Sequence, residues 1–241
     1  MNTVVLHGLI VSGDALRTDA PAHRLIAMET LQAIVSDTTL PPETSELSED
    51  QTAQAALFHN EILVKYCEAG DVLPIRFGAA FSSDAAVVSH VASDAVQHLT
   101  MIRRLSDSKE FALRLVPAAQ QHSKHEDAVA PASGRDFLTR RMTTRNNRKT
   151  ISERRHTFAK ALATRIGGHV SSILAAETLR PDRLVDLTLL VPTANITALV
   201  SESAQLYVEA RDLGLDLHMT GPWPPYSYAS IEVLDGLATG A

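Results

Sequence analysis

Leu215-Asp-Leu-His-Met-Thr-Gly-Pro-Trp-Pro-Pro-Tyr-Ser-Tyr228 decides how the rest of this chain is read. Leu215, Leu217 and Met219 alternate with Asp216, His218 and Thr220, the two-residue period of a strand with one buried face. Gly221 and Pro222 are expected to end that ladder. Pro222, Pro224 and Pro225 fix φ and remove backbone donors, so 222–225 predicts a stiff, polyproline-like arm. The arm carries Trp223, the single tryptophan, with Tyr226 and Tyr228 just beyond it, in a chain that is 5% aromatic. Such rings either plug the end of a core or form a preorganised binding ridge. Large aromatics pack more often than they bind, so packing is the expectation for Trp223.

Outward from this stretch, the chain has 241 residues, is 45% hydrophobic and has a mean hydropathy near zero. That allows one large domain or two small ones. No apolar run is long enough to span a bilayer. Thr3 to Val11 is short, lacks a basic flank and is broken by His7 and Gly8, unlike a signal peptide. The single cysteine, Cys67, forms no internal disulfide, which fits a reducing cytoplasm. The net charge of −6 is unevenly spread: residues 135–165 hold 10 basic and 2 acidic side chains between two acidic blocks.

In chain order, Thr3 to Val11, Arg24 to Glu29 and Leu31 to Ser36 predict strands. A helix is expected over about Leu47 to Ala69, with Ala55, Phe58, Ile62 and Tyr66 at helical spacing and Gly70 as its stop. Ser82 or Ser83 caps a second helix running to about Leu105. Phe111 to Val116 predicts a strand ended by Pro117. Residues 119–133 lack periodicity and are expected to link an N-terminal α/β domain, 1–118, to a C-terminal domain, 134–241. There a long helical region runs from Gly134 towards Thr178, apolar at Ile151, Phe158, Leu162, Ile166, Val170 and Ile173. Thr143 to Thr150 contains no apolar residue and should be exposed, bridging or kinked. A strand, Leu184 to Val191, and a helix follow; the helix carries Ile196, Leu199, Val200, Ser203 and Tyr207 on one face. The pattern suits two small split-βαβ units, an α+β class, better than one parallel sheet.

Catalytic signatures are missing: no phosphate-binding glycine loop, no dinucleotide fingerprint, no nucleophile elbow and no H-E-x-x-H helix. His122 and His125 have helical metal-pair spacing but lack completing ligands, so no metal or cofactor is expected. His59 reads as a satisfied helix histidine. Arg76, between Ile75 and Phe77, is costly on an apolar strand unless paired; a structural ion pair is favoured over anion binding. Arg140, Arg141, Arg145 and Arg148 belong to the basic segment. That segment admits an alternative reading, a nucleic-acid-binding regulator using 135–165. Its few aromatics and the absence of a nucleic-acid module favour protein partners instead.

Thr220-Gly-Pro-Trp-Pro-Pro-Tyr226 resembles the terminal signature of the gas vesicle proteins GvpF and GvpL. His59, Val72-Leu-Pro-Ile-Arg-Phe-Gly78 and Phe81 are similar to a second motif of that family, in which Pro74, Arg76, Phe77 and Gly78 are motif residues. Gly134 with Phe137-Leu138 and Arg141 resembles a third, and Asn195, Leu199 and Val200 a fourth. The matches keep family order over about residues 59–228. Ala79, Phe137 and Tyr228 depart from the usual Thr, Tyr and Phe. The resemblance implies an α/β N-terminal domain and a ferredoxin-like α+β C-terminal domain. It also implies a cytoplasmic, non-enzymatic accessory protein that binds the shell protein GvpA and other accessory proteins, with neither nucleic acid nor membrane as partner. Trp223, Tyr226 and the four arginines are the expected partner contacts. Gly221, Pro222, Pro224 and Pro225 are the expected structural frame.

Overall fold

Almost every side chain of Thr3–Val11, strand β1, is buried, as suits a strand covered on both faces. It is contacted by three helices: α1 (Glu49–Ala69), α2 (Asp84–Ser93) and α3 (Ala95–Leu105). The computed structural model describes residues 3–13, 20, 22–38, 47–118, 134–180 and 182–229. The expected linker, 119–133, lies outside them. β1 is the third strand of a sheet ordered β2-β3-β1-β4, with β2 at Arg24–Ala27, β3 at Leu31–Thr38 and β4 at Leu73–Pro74. β5 (Ala80–Phe81) also pairs with β1, and every pairing in this sheet is antiparallel.

The β1–β3 register slips at one point. Leu6 faces Val35 and Gly8 faces Ile34, leaving His7 as an extra residue on β1. A bulge of this kind re-aims one side chain. Strict alternation would put His7 and Gly8 on opposite faces. Instead both meet α1: His7 through His59, and Gly8 by lying close to Leu63.

α1 begins with a capping box, in which Ser48 Oγ accepts from Gln51 N and Gln51 Oε1 accepts from Ser48 N. It buries His59, Ile62, Leu63, Tyr66 and Cys67, one helical stripe, against Ile10, Ile34 and Val72. The second predicted helix is capped by Ser83 but is interrupted at Asp94, dividing it into α2 and α3.

The second sheet is ordered β7-β8-β6-β9, built from β6 (Ser108–Pro117), β7 (Ser172–Ala175), β8 (Val185–Pro192) and β9 (Leu215–Trp223). α4 (Gly134–Gly167) lies between β6 and β7 in sequence, and α5 (Ile196–Asp212) between β8 and β9. The βαββαβ order with each crossover pair split by another strand is ferredoxin-like. Its core joins Leu113 and Leu115 of β6, Leu162 and Ile166 of α4, Leu189 and Val191 of β8, Leu199 and Leu206 of α5, and Leu215 of β9.

Several sequence expectations change here. The chain divides into Met1–Glu110 with Pro222–Ala241, and Phe111–Gly221. The expected boundaries, 1–118 and 134–241, separate β6 from the sheet in which it lies between β8 and β9. They also assign the Pro–aromatic arm to the wrong unit. The predicted long helix ends at Gly167; the segment containing Ile173 is strand β7, paired antiparallel with β8. Ile173 fell at helical spacing by coincidence, and the preceding Gly167-Gly168 pair is the real stop. On α5 the buried face is Leu199, Ser203, Leu206 and Ala210, while Val200 and Tyr207 are exposed. β9 continues through Gly221 and Pro222 to Trp223 rather than ending before them.

Two measurements follow from this packing. A Cβ at Gly8 would lie 2.7 Å from Leu63 Cδ2 and 3.0 Å from the Leu73 carbonyl oxygen, which is backbone and cannot swing away. Gly8→Ala is therefore expected to lower unfolding free energy by about 1–3 kcal/mol in urea titration. Gly167→Ala, with nothing within 4 Å, should stay within about 0.5 kcal/mol. Burial holds His7 down to about 3, with His59 and then His23 adding to the effect; burial likewise holds His59 down to about 4. Both pKa values are lowered on folding, so unfolding takes up protons, and stability present above 6.5 is lost as pH falls towards the folded values. Two such groups cost about 3–4 kcal/mol between pH 7 and pH 5. Urea unfolding at the two pH values reads this directly, and His59→Gln should roughly halve the difference.

Candidate functional site

His59, Pro74, Arg76, Phe77 and Tyr226, far apart in sequence, line one cavity of about 550 Å³ in the first unit. Each is delivered by local structure. Pro74 ends β4 opposite Gly8, and the Ile75 amide donates to the His7 carbonyl at 2.9 Å. Gly78, at φ 95°, turns the chain back so that the Leu6 amide donates to the Ala79 carbonyl at 2.8 Å. Between these two anchors on β1 the Arg76-Phe77 pair forms the apex of a short loop.

His59 comes from α1 and is held by a line of polar contacts. Its Nδ1 lies 2.9 Å from His7 Nδ1, and His7 Nε2 lies 2.8 Å from Ser36 Oγ. With both rings neutral, one Nδ1 donates and the other accepts, so the tautomers are correlated. His59 Nε2 is buried and makes no hydrogen bond with a described residue. The Ile75 backbone favours the charged form of His59, but burial outweighs it. Phe77 meets the His59 ring edge-on at 5.6 Å, and Tyr226 stacks on it with centroids 6.3 Å apart and 28° between planes. On the far side of this histidine pair, His7 and Phe77 line a second cavity of about 430 Å³ with Ser36 and Phe58.

The arm fixes Tyr226. Pro224, Pro225 and Tyr228 are buried. Glu110 accepts from the Ser227 amide at 2.7 Å and from its hydroxyl at 2.9 Å. Burial pushes the Glu110 carboxyl up, opposed by those two donors. The Tyr226 hydroxyl donates to Asn60 Oδ1 at 3.1 Å. Burial first, then Cys67 and Glu110, raises its pKa.

Two expectations for site residues do not hold. Arg76 is exposed and makes no ion pair with a described residue, because the loop apex lifts it clear of the sheet. Trp223 is 41% exposed rather than core, and lines a small cleft of about 60 Å³ with Val64, Cys67 and Lys109. Pro224 and Pro225, not the indole, supply the arm's packing. Gly221 and Pro222 are exposed too. Arg140, Arg141, Arg145 and Arg148 fall within α4, where Arg141 and Arg145 are exposed.

His7, Ser36, Asn60, Glu110 and Ser227 escaped the sequence reading. A histidine and a serine inside apolar strands did carry a signal, since buried polar groups demand partners. Among the described residues no group of three His, Cys, Asp or Glu side chains could hold a metal ion.

The fold matches solved structures of the gas vesicle protein GvpF. One, from an Anabaena species, has a TM-score of 0.68 at 13% identity, covering 96% of this chain and 97% of that one. Another, from Microcystis aeruginosa, has a TM-score of 0.66 at 14% identity, covering 95% and 99%. In sequence the chain is 28% identical over 193 residues to gas vesicle protein L of a Streptomyces species, covering 76% of this chain and 71% of the relative. It is 23% identical to gas vesicle protein L2 of Halobacterium salinarum, covering 90% and 85%. The family model described as gas vesicle synthesis protein GvpL/GvpF matches residues 16–230, from just after β1 to beyond Tyr228. The chain thus belongs to the GvpL/GvpF family, and its role lies in gas vesicle formation.

Proposed function

We propose that the chain is a non-enzymatic, cytoplasmic, vesicle-associated accessory protein that binds the GvpA shell protein, and other accessory proteins, during nucleation or assembly. The observation that carries this reading is the exposed indole of Trp223. A tryptophan held between two prolines has lost most of its backbone freedom before any contact forms, so little entropy remains to be lost on binding. Tryptophan is also among the residues most enriched where binding energy concentrates. The first half of α4 offers separate support: Arg141, Met142 and Arg145 are exposed and none of the three joins the second unit's core. A mixed basic and apolar face of this kind suits a protein partner. A shell subunit that polymerises through apolar surfaces needs a soluble partner before assembly.

Co-expression with GvpA followed by pull-down tests the reading. Trp223→Ala should melt within a few degrees of the parent and lose about 2 kcal/mol or more of binding. A loss of stability of about 3–5 kcal/mol with capture intact would instead return Trp223 to the core. An Arg141→Glu, Arg145→Glu variant should weaken capture more at low salt than at moderate salt. A probe of DNA or RNA bound at physiological salt, with GvpA left uncaptured, would replace this reading by the nucleic-acid one.

A further inference from the structure

We propose that the cavity lined by His59, Asn60, Arg76 and Tyr226 binds a carboxylate carried on a small apolar group. Among the described lining residues the one permanently charged side chain is a cation, Arg76. Asn60 Oδ1 is already occupied by the Tyr226 hydroxyl, and the Ser227 hydroxyl and amide are turned to Glu110. Donors remain: the Arg76 guanidinium, without an ion pair among the described residues, and the Asn60 amide. His59 Nε2 is the third group, buried in a residue only 3% exposed and without a hydrogen-bond partner of normal geometry among the described residues. In the tautomer where His59 Nδ1 accepts from His7, Nε2 carries the proton and is a donor.

No aspartate or glutamate stands among the described lining residues to satisfy these donors from within. An anionic acceptor from outside completes them. The remaining wall is apolar, from Ala56, Pro74, Phe77 and Ala229, and excludes a fully hydrated ion in favour of one with a hydrocarbon body. A single planar guanidinium fork matches a planar carboxylate of one charge, bidentately, better than a multiply charged phosphate. About 550 Å³ falls in the range of small-molecule sites. The ligand is a free branched carboxylic acid or the C-terminal residue of a peptide chain, which present the same chemistry.

The inference goes beyond shell-protein binding and does not depend on it, since it is tested on the purified chain alone. N-acetyl-leucine is titrated and followed by the NMR amide shifts of Asn60, Arg76 and Phe77. A Kd near ~1 mM is expected for a ligand with about a dozen non-hydrogen atoms. Leucinamide acetylated at nitrogen, which lacks the charge, should bind at least ~10-fold more weakly. Arg76→Gln, at an exposed position where folding is unaffected, should weaken N-acetyl-leucine by a similar factor, whereas Arg103→Gln should not. Isovalerate and an acetylated Ala-Ala-Leu tripeptide distinguish the sources: tighter tripeptide assigns a chain terminus, equal binding a free acid. Shifts absent up to ~20 mM N-acetyl-leucine, or equal binding of the acid and the amide, would overturn the proposal.

Discussion

A desolvated histidine has to be satisfied or the strand around it fails, and His7 sets that constraint for the first unit. It is 1% exposed, on a strand buried along most of its length, with a partner on each ring nitrogen. Those partners come from β3 and α1, so one polar line fixes strand pairing and helix placement together. The bulge in β1 exists where His7 does, and it is what lets Gly8 lie under Leu63 on the same side. Removing any one of Ser36, His7 or His59 leaves buried polar atoms unpaired, which costs more than the hydrogen bonds are worth. This is a core whose uniqueness rests on polar geometry as well as on apolar area.

The second unit is built differently. Its core is a plain apolar layer between the sheet and two helices, and its ion pairs sit at the rim. Arg165 joins Glu202 and Glu209 of α5, and Arg155 donates to the carbonyls of Leu213 and Gly214 where α5 ends. Exposed pairs of this sort add little stability singly, yet they fix how α4 lies along α5. The described core residues of α4, Leu162 and Ile166, come from its second half. The first half, free of apolar residues between Thr143 and Thr150, keeps its exposed Arg145 and Lys149 outside the core.

Local pattern made much of this legible in the sequence. β1, the α1 stripe and the α5 span follow from periodicity, and the exposure of Thr143, Arg145, Lys149 and Thr150 on α4 from the lack of apolar residues there. What periodicity could not supply was partnership across the chain. β6 looks like the last strand of one domain and is the first of the next, because nothing in Phe111 to Val116 says which sheet it joins. β7 is four residues long, too short for a two-residue period to outweigh a coincidental helical one. Arg76 was read from its apolar neighbours, which predict burial; a loop apex anchored at Ile75 and Ala79 reverses that. The motif residues of the cavity were visible as motifs. His7, Ser36 and Glu110, which hold them, were not, since a lone polar residue in a strand does not name its partner.

The return of residues after Gly221 to the first unit has a consequence for how the protein is made. Phe111–Gly221 is an insertion, and the first unit begins at the start of the chain but closes only when Tyr226 and Ser227 arrive. At roughly 5–20 residues per second the intervening stretch takes on the order of ten seconds to emerge. During that interval the cavity has no Tyr226 wall, and Glu110 lacks the Ser227 amide and hydroxyl that it accepts from in the finished unit. The inserted unit, contiguous in sequence, can complete on the ribosome, whereas the older half of the chain waits. A nascent chain in that state is open to the same contacts that a mature one has already closed.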